Sequence, residues 1–173
     1  SGHAFRVTHL QHHRRFPADD DIEGAVADQL WWRALLAGIG HQCRLFLWAW
    51  PRARSEERRW MAVEATTVIG IIIAGVSLVP ITPVLLVYIL LVTTSSWLYP
   101  FATVWVPHRK AGTDQLSQTI AVRGRIVPWL FLQHTYHLEH HLYPSVPSHN
   151  WRHLARRLDP WLKSRGVRPV QTP

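Results

Sequence analysis

The sequence contains one cysteine, Cys43, which excludes an internal disulfide framework and argues against cysteine-ligated zinc modules. It has no start methionine and no signal peptide. It opens on Ser1-Gly2-His3 and so reads as a piece of a longer or processed protein. Acidic residues are scarce, with 11 Asp+Glu against 19 Lys+Arg and a formal net charge of +8 with histidine neutral. Such a balance can signal nucleic acid. Here the arginines flank a long apolar block, which points to a membrane surface and away from nucleic acid. The metalloprotease pattern H-E-x-x-H does not occur, and there is no internal repeat apart from one histidine spacing. What the chain does have is ten tryptophans, twelve histidines and two long apolar runs, while its mean hydropathy is close to zero.

The apolar runs set the architecture; the first carries a single charge, Glu64, at its edge where it can reach water. Trp60 to Val79 and Val84 to Val106 each approach the ~20 residues that cross a hydrocarbon core. The turn between them, Pro80-Ile81-Thr82-Pro83, carries no charge, and Pro100 predicts a kink in the second span. A soluble buried hairpin is the alternative, but the rest of the chain has too little apolar surface to cover two such helices. Arg52, Arg54, Arg58 and Arg59 precede the pair, and Arg109, Lys110, Arg123 and Arg125 follow it. The positive-inside rule then places both flanks in the cytoplasm, so segments on either side of the hairpin share one compartment. Gln29 to Trp50, apolar but interrupted by Arg33, His41 and Arg44, reads as one helix lying in the interface, with Arg33 and Arg44 on a common face. Asn150 to Leu162 reads as a basic amphipathic helix, and the tail after Lys163 as frayed.

The chemistry is carried by histidine. His9-Leu10-Gln11-His12-His13 and His137-Leu138-Glu139-His140-His141 share the spacing H-x-x-H-H. Neutral imidazole is the commonest ligand for transition metals, and clusters this dense have little structural use. If a helix ran through the second set, His134, His137 and His141 would share one face at i, i+3 and i+7. His108, one residue beyond the membrane edge, and His134 are further candidate ligands. His41 reads as an interfacial polar residue. Asp19 to Asp21 with Glu23 form an acidic turn after the first set. From it Asp20 and Asp21, together with Glu139 inside the second set, are the candidate acceptors for histidine N–H groups. The metal ligands are the whole of the expected site, with no separate catalytic residue.

Thr8 to Arg14 and Tyr136 to Pro147 resemble the second and third histidine boxes of the membrane fatty acid desaturase superfamily, which includes carotenoid hydroxylases and ketolases. The resemblance covers nearly the whole chain. It implies a non-haem di-iron centre with O2 as co-substrate, a lipid substrate taken from the bilayer, and electrons from a ferredoxin or cytochrome b5 type donor. Carried over by position, it makes His9, His12, His13, His137, His140 and His141 iron ligands and gives His108 a loose match to an additional one. A first box should lie at the end of an earlier span, and none precedes His9, so this chain is expected to lack ligands.

The expected fold is therefore all-α: an integral membrane helical hairpin with a cytoplasmic or interfacial helical cap that carries two His boxes. It forms one partial domain over 1–173. Within that domain lie the second box and acidic turn (1–28), the interfacial helix (29–50), the hairpin (60–106), and the third box with a C-terminal interfacial helix (107–173). The expected location is a bacterial cytoplasmic membrane with both boxes on the cytoplasmic side. The expected function is O2-dependent desaturation of lipid acyl chains, with carotenoid hydroxylation or ketolation next. A zinc-dependent membrane hydrolase is more distant, because Glu139 is the only carboxylate inside either box. A metal transporter would place histidines in the spans, and there are none.

Overall fold

A computed structural model describes residues 1–109 and 111–173; Lys110, one of the expected cytoplasmic cations, lies outside them. The chain is mostly helical and divides into two compact units, Ser1–Ala102 and Thr103–Pro173.

The first unit opens with α1, Gly2–Arg15, capped by Ser1, whose Oγ accepts from the Ala4 amide at 3.1 Å. Ala4 on α1 packs with Ala49, Ala53 and Met61, and the three small alanines let helix backbones approach closely. The single interfacial helix expected over Gln29 to Trp50 is instead two, α2 (Trp31–Ala37) and α3 (His41–Ala49). Gly40 stands between them at φ +78, a conformation that ends a helix and that glycine adopts without strain. Arg33 and Arg44 thus belong to different helices, and the shared face does not exist. Gly38, at the end of α2, is needed for space. A Cβ there would collide with the carbonyl oxygen of Trp97.

Two long helices follow, α4 (Ser55–Ser77) and α5 (Val84–Pro100). α4 starts five residues earlier than hydropathy alone suggests. Glu57 accepts from the Arg54 amide at 2.9 Å, and its carboxylate favours the amide-rich first turn. Glu64, expected to reach water, is held by the His3 ring at 2.7 Å. At Pro100 the missing N–H breaks the α ladder, and Phe101–Trp105 continues as a wider π turn. The expected kink is thus a change of helical pitch. Ser55–Ser77 and Val84–Trp105 are long and apolar enough to cross a bilayer. They leave most of their apolar side chains uncovered, as with Ile73 at 61% exposure, which suits lipid and not a soluble core.

In the second unit, β1 (Val122–Arg123) is followed by α6 (Ile126–Leu130), α7 (His137–Leu142), α8 (Trp151–Ser164) and β2 (Val170–Gln171). The tail, expected to fray after Lys163, is instead paired. β2 pairs in parallel with β1, Val122 opposite Val170, and Thr172 donates its amide to the Arg123 carbonyl at 2.8 Å. Leu138 on α7 is buried with Ala121 and with Leu162 on α8, while Tyr136 packs with Trp151 and Ala155. α8 has the amphipathic character read from its sequence, with Trp151, Ala155 and Leu162 inward and Arg152, Arg156 and Arg157 outward.

Candidate metal centre

In the first unit, α1 sets the histidines and the acidic turn orients them. His12 and Asp21 are both buried, and the His12 Nδ1 lies 2.7 Å from the Asp21 carboxylate. His9 Nδ1 lies 2.9 Å from the buried carboxylate of Glu23. A carboxylate only accepts, so each Nδ1 carries the proton and each Nε2 is left with its lone pair. The Nε2 atoms of His9 and His13 are 3.1 Å apart. Burial lowers the His13 pKa to about 4, helped by the neighbouring His9 and His12, and so keeps the ring neutral as a ligand must be.

The acidic turn does not act as a block. Asp21 reaches His12. Asp20 does not: it is exposed and pairs with Arg15 at 3.0 Å. Glu23, outside the expected pair, holds His9. Its signal was its membership of the turn that folds back under α1. Gly24 permits that close return, since a Cβ there would meet the Asp21 carboxylate and the Phe16 ring.

In the second unit three imidazoles converge. The Nε2 atoms of His108, His137 and His141 lie 3.1 to 3.2 Å from one another. Three nitrogens bound to one first-row divalent ion at ~2.0–2.1 Å would lie roughly 2.9–3.4 Å apart, from octahedral to tetrahedral angles. The residues therefore fit a metal ion. His108 is placed by the π turn. The Val104 carbonyl accepts from both the His108 amide (3.1 Å) and its Nδ1 (2.8 Å), which leaves His108 Nε2 unprotonated and aimed at the other two rings. A backbone carbonyl carries no sequence signature, so this support was invisible in the sequence.

His140 turns to the side of α7 and leans on Trp151, ring centroids 4.8 Å apart. The one-face reading of His134 with His137 and His141 fails because α7 begins at His137. His134 lies in the preceding turn, its Nδ1 3.1 Å from the Phe131 carbonyl, outside the converging group. Glu139 is buried and receives Arg123 at 2.6 Å, while Arg123 also holds Asp159 at 2.6 Å. Burial pushes the Glu139 carboxyl above its ordinary range, and Arg123 pulls it part of the way back. Its bonded partner is thus a cation instead of a histidine. His41 is buried, and burial lowers its pKa to about 4, with Arg44 adding to the shift.

Residues 1–172 match the family described as fatty acid desaturase. No curated protein and no solved structure gives a significant match.

Proposed function

We propose, from the premise that the chain belongs to the fatty acid desaturase family, that it is a membrane-bound non-haem di-iron oxidoreductase which desaturates lipid acyl chains with O2. Membership and the two apolar helices carry the general statements of oxidoreductase activity and membrane association. The finer reading gains its support from one observation, the three Nε2 lone pairs of His108, His137 and His141 spaced for a common ion.

On this reading His9, His12 and His13 in the first unit, and His108, His137, His140 and His141 in the second, are iron ligands. Iron, once bound, supplies the redox chemistry that lets dioxygen remove hydrogen from an unactivated methylene, which redox-inert zinc does not. The protein's own part is to fix tautomers. Asp21, Glu23 and the Val104 carbonyl keep protons on Nδ1 and leave Nε2 free to ligate. The exposed arginines of α8 suit an acidic electron donor, whose on-rate would fall as salt rises.

The test is to express the intact gene in a host that makes both acyl lipids and carotenoids, then profile products and metal. The expected result is iron in the purified protein and O2-dependent double bonds in acyl chains. Stoichiometric zinc without iron overturns the oxidoreductase reading, and oxygenated carotenoids with unchanged acyl chains overturn the choice of substrate.

A further inference from the structure

α6 and the turn after it form an apolar knuckle on the second unit. Leu132 and Gln133 both adopt positive φ, +48 and +69, although neither is glycine. A non-glycine residue in this region is strained and persists only where its surroundings fix it. The consequence is outward display. Trp129 is 69% exposed and Leu132 75%, with Leu130 and Phe131 exposed beside them. So dense an apolar display on a small unit marks a contact with something apolar.

Beside the knuckle lies a cavity of about 260 Å³ lined by Arg125, Arg152, Gln133, Tyr136 and Trp129. Its arginines differ from the nearby Arg123, whose charge is answered by Glu139 and Asp159. Among the described residues neither Arg125 nor Arg152 has a carboxylate partner, and no acidic side chain lines the cavity. Gln133 brings a buried Oε1 that accepts no hydrogen bond. The cavity thus offers two cations, one buried acceptor awaiting a donor, and an apolar wall that continues onto the exposed knuckle.

These features call for an anion that also carries a hydroxyl and an alkyl chain. The unit starts at Thr103, inside the last turns of an apolar stretch long enough to cross a bilayer, so a lipid is the apolar partner nearest to hand in the chain. We propose that the cavity is a headgroup site for an anionic phospholipid with a hydroxylated headgroup. Arg125 and Arg152 hold the phosphate, the headgroup hydroxyl donates to Gln133 Oε1, and the acyl chains run beside Trp129 and Leu132. Binding here needs neither iron nor turnover, so it stands apart from the oxidation reading.

The test is lipid retention by the detergent-solubilised full chain in native mass spectrometry, comparing phosphatidylglycerol with phosphatidylcholine of the same acyl composition. Wild type is expected to prefer phosphatidylglycerol, and R125Q/R152Q to lose about ten- to thirty-fold of that retention, at ~1 kcal/mol per arginine. Both guanidinium groups are exposed and unpaired, so the double variant keeps wild-type helicity by circular dichroism. R156Q/R157Q, on the same helix but outside the cavity, is expected to retain the lipid. Equal losses in the two double variants would mean unspecific charge attraction and overturn the site. Unchanged retention in R125Q/R152Q would do the same, as would competition by soluble glycerol phosphate at the lipid's own concentration.

Discussion

His9, His12 and His13 stand on a fourteen-residue helix, and two of their rings are oriented by carboxylates from the turn that follows within eight residues of that helix. His137, His140 and His141 stand on a six-residue helix that supplies no such acid to its own rings. The converging group of His137 and His141 is completed by His108, twenty-nine residues before His137 and fixed by a backbone carbonyl. One spacing is therefore held by local means in the first unit and by long-range packing in the second. The intervening positions show the same contrast. Leu10 is 43% exposed, whereas Leu138 is fully buried at 0% and Glu139 lies in an ionic network with Arg123 and Asp159. In the His9 box the exposed Leu10 is a bystander; in the His137 box Leu138 and Glu139 help hold the unit together.

The largest expected effect comes from breaking the convergent cluster itself. His137→Ala removes one of three nitrogens that lie within 3.2 Å of one another. Iron retention and O2-dependent turnover should each fall by more than about 100-fold, beyond the range typical of residues that only support ligands. Metal content by mass spectrometry with product analysis checks this. Next comes the paired leucine test. Leu138→Ala should cost about 2–5 kcal/mol through the cavity it leaves, and Leu10→Ala less than about 0.5 kcal/mol. Thermal melts in detergent compare the two directly, and equal costs would erase the distinction between the boxes.

A third test uses pH. His41 has a folded pKa of about 4 against an ordinary 6.5. Between those values the unfolded chain binds a proton that the folded chain excludes. Stability from this group is therefore intact above about pH 6.5 and falls as pH drops toward 4. By pH 4.5 the loss should be about 2–3 kcal/mol, and His41→Leu should flatten the melting profile by that amount. His13 adds a further fall in the same direction, since its pKa is also about 4.

The same contrast explains what could be read in advance. α1 and the two long helices follow from hydropathy and uninterrupted spacing, which a chain declares locally. The break at Gly40 was written in the sequence as Gly38-Ile39-Gly40, but the apolar residues on both sides made it look continuous. The end of the helix reading at His134 had no such sign, because Leu132 and Gln133 are not residues whose type announces positive φ. Likewise the pairing of β2 with β1 joins residues forty-eight apart, and no period in either segment marks it. What sequence pattern conveys is which residues are chemical. Which neighbour orients each one depends on contacts that long-range folding decides.

The smallest expected effect separates the carboxylates beside the two boxes. Asp21 accepts from His12 Nδ1 within a fully buried pair. Asp21→Asn keeps the shape but can donate through its amide, which favours the tautomer with the proton on Nε2 and removes the lone pair needed for a metal. Iron affinity should fall about 10- to 100-fold, with little change in melting temperature. Glu139→Gln should do the opposite. Its bonded partner is Arg123, which keeps Asp159, so iron affinity should change by less than about 3-fold, while stability falls by about 1–3 kcal/mol as a buried charge-assisted bond is weakened. Competition against a graded chelator, run beside thermal melts, reads both quantities. If the two substitutions moved affinity equally, Glu139 would be orienting a ligand after all, and the division between locally tuned and remotely supported histidines would have to be redrawn.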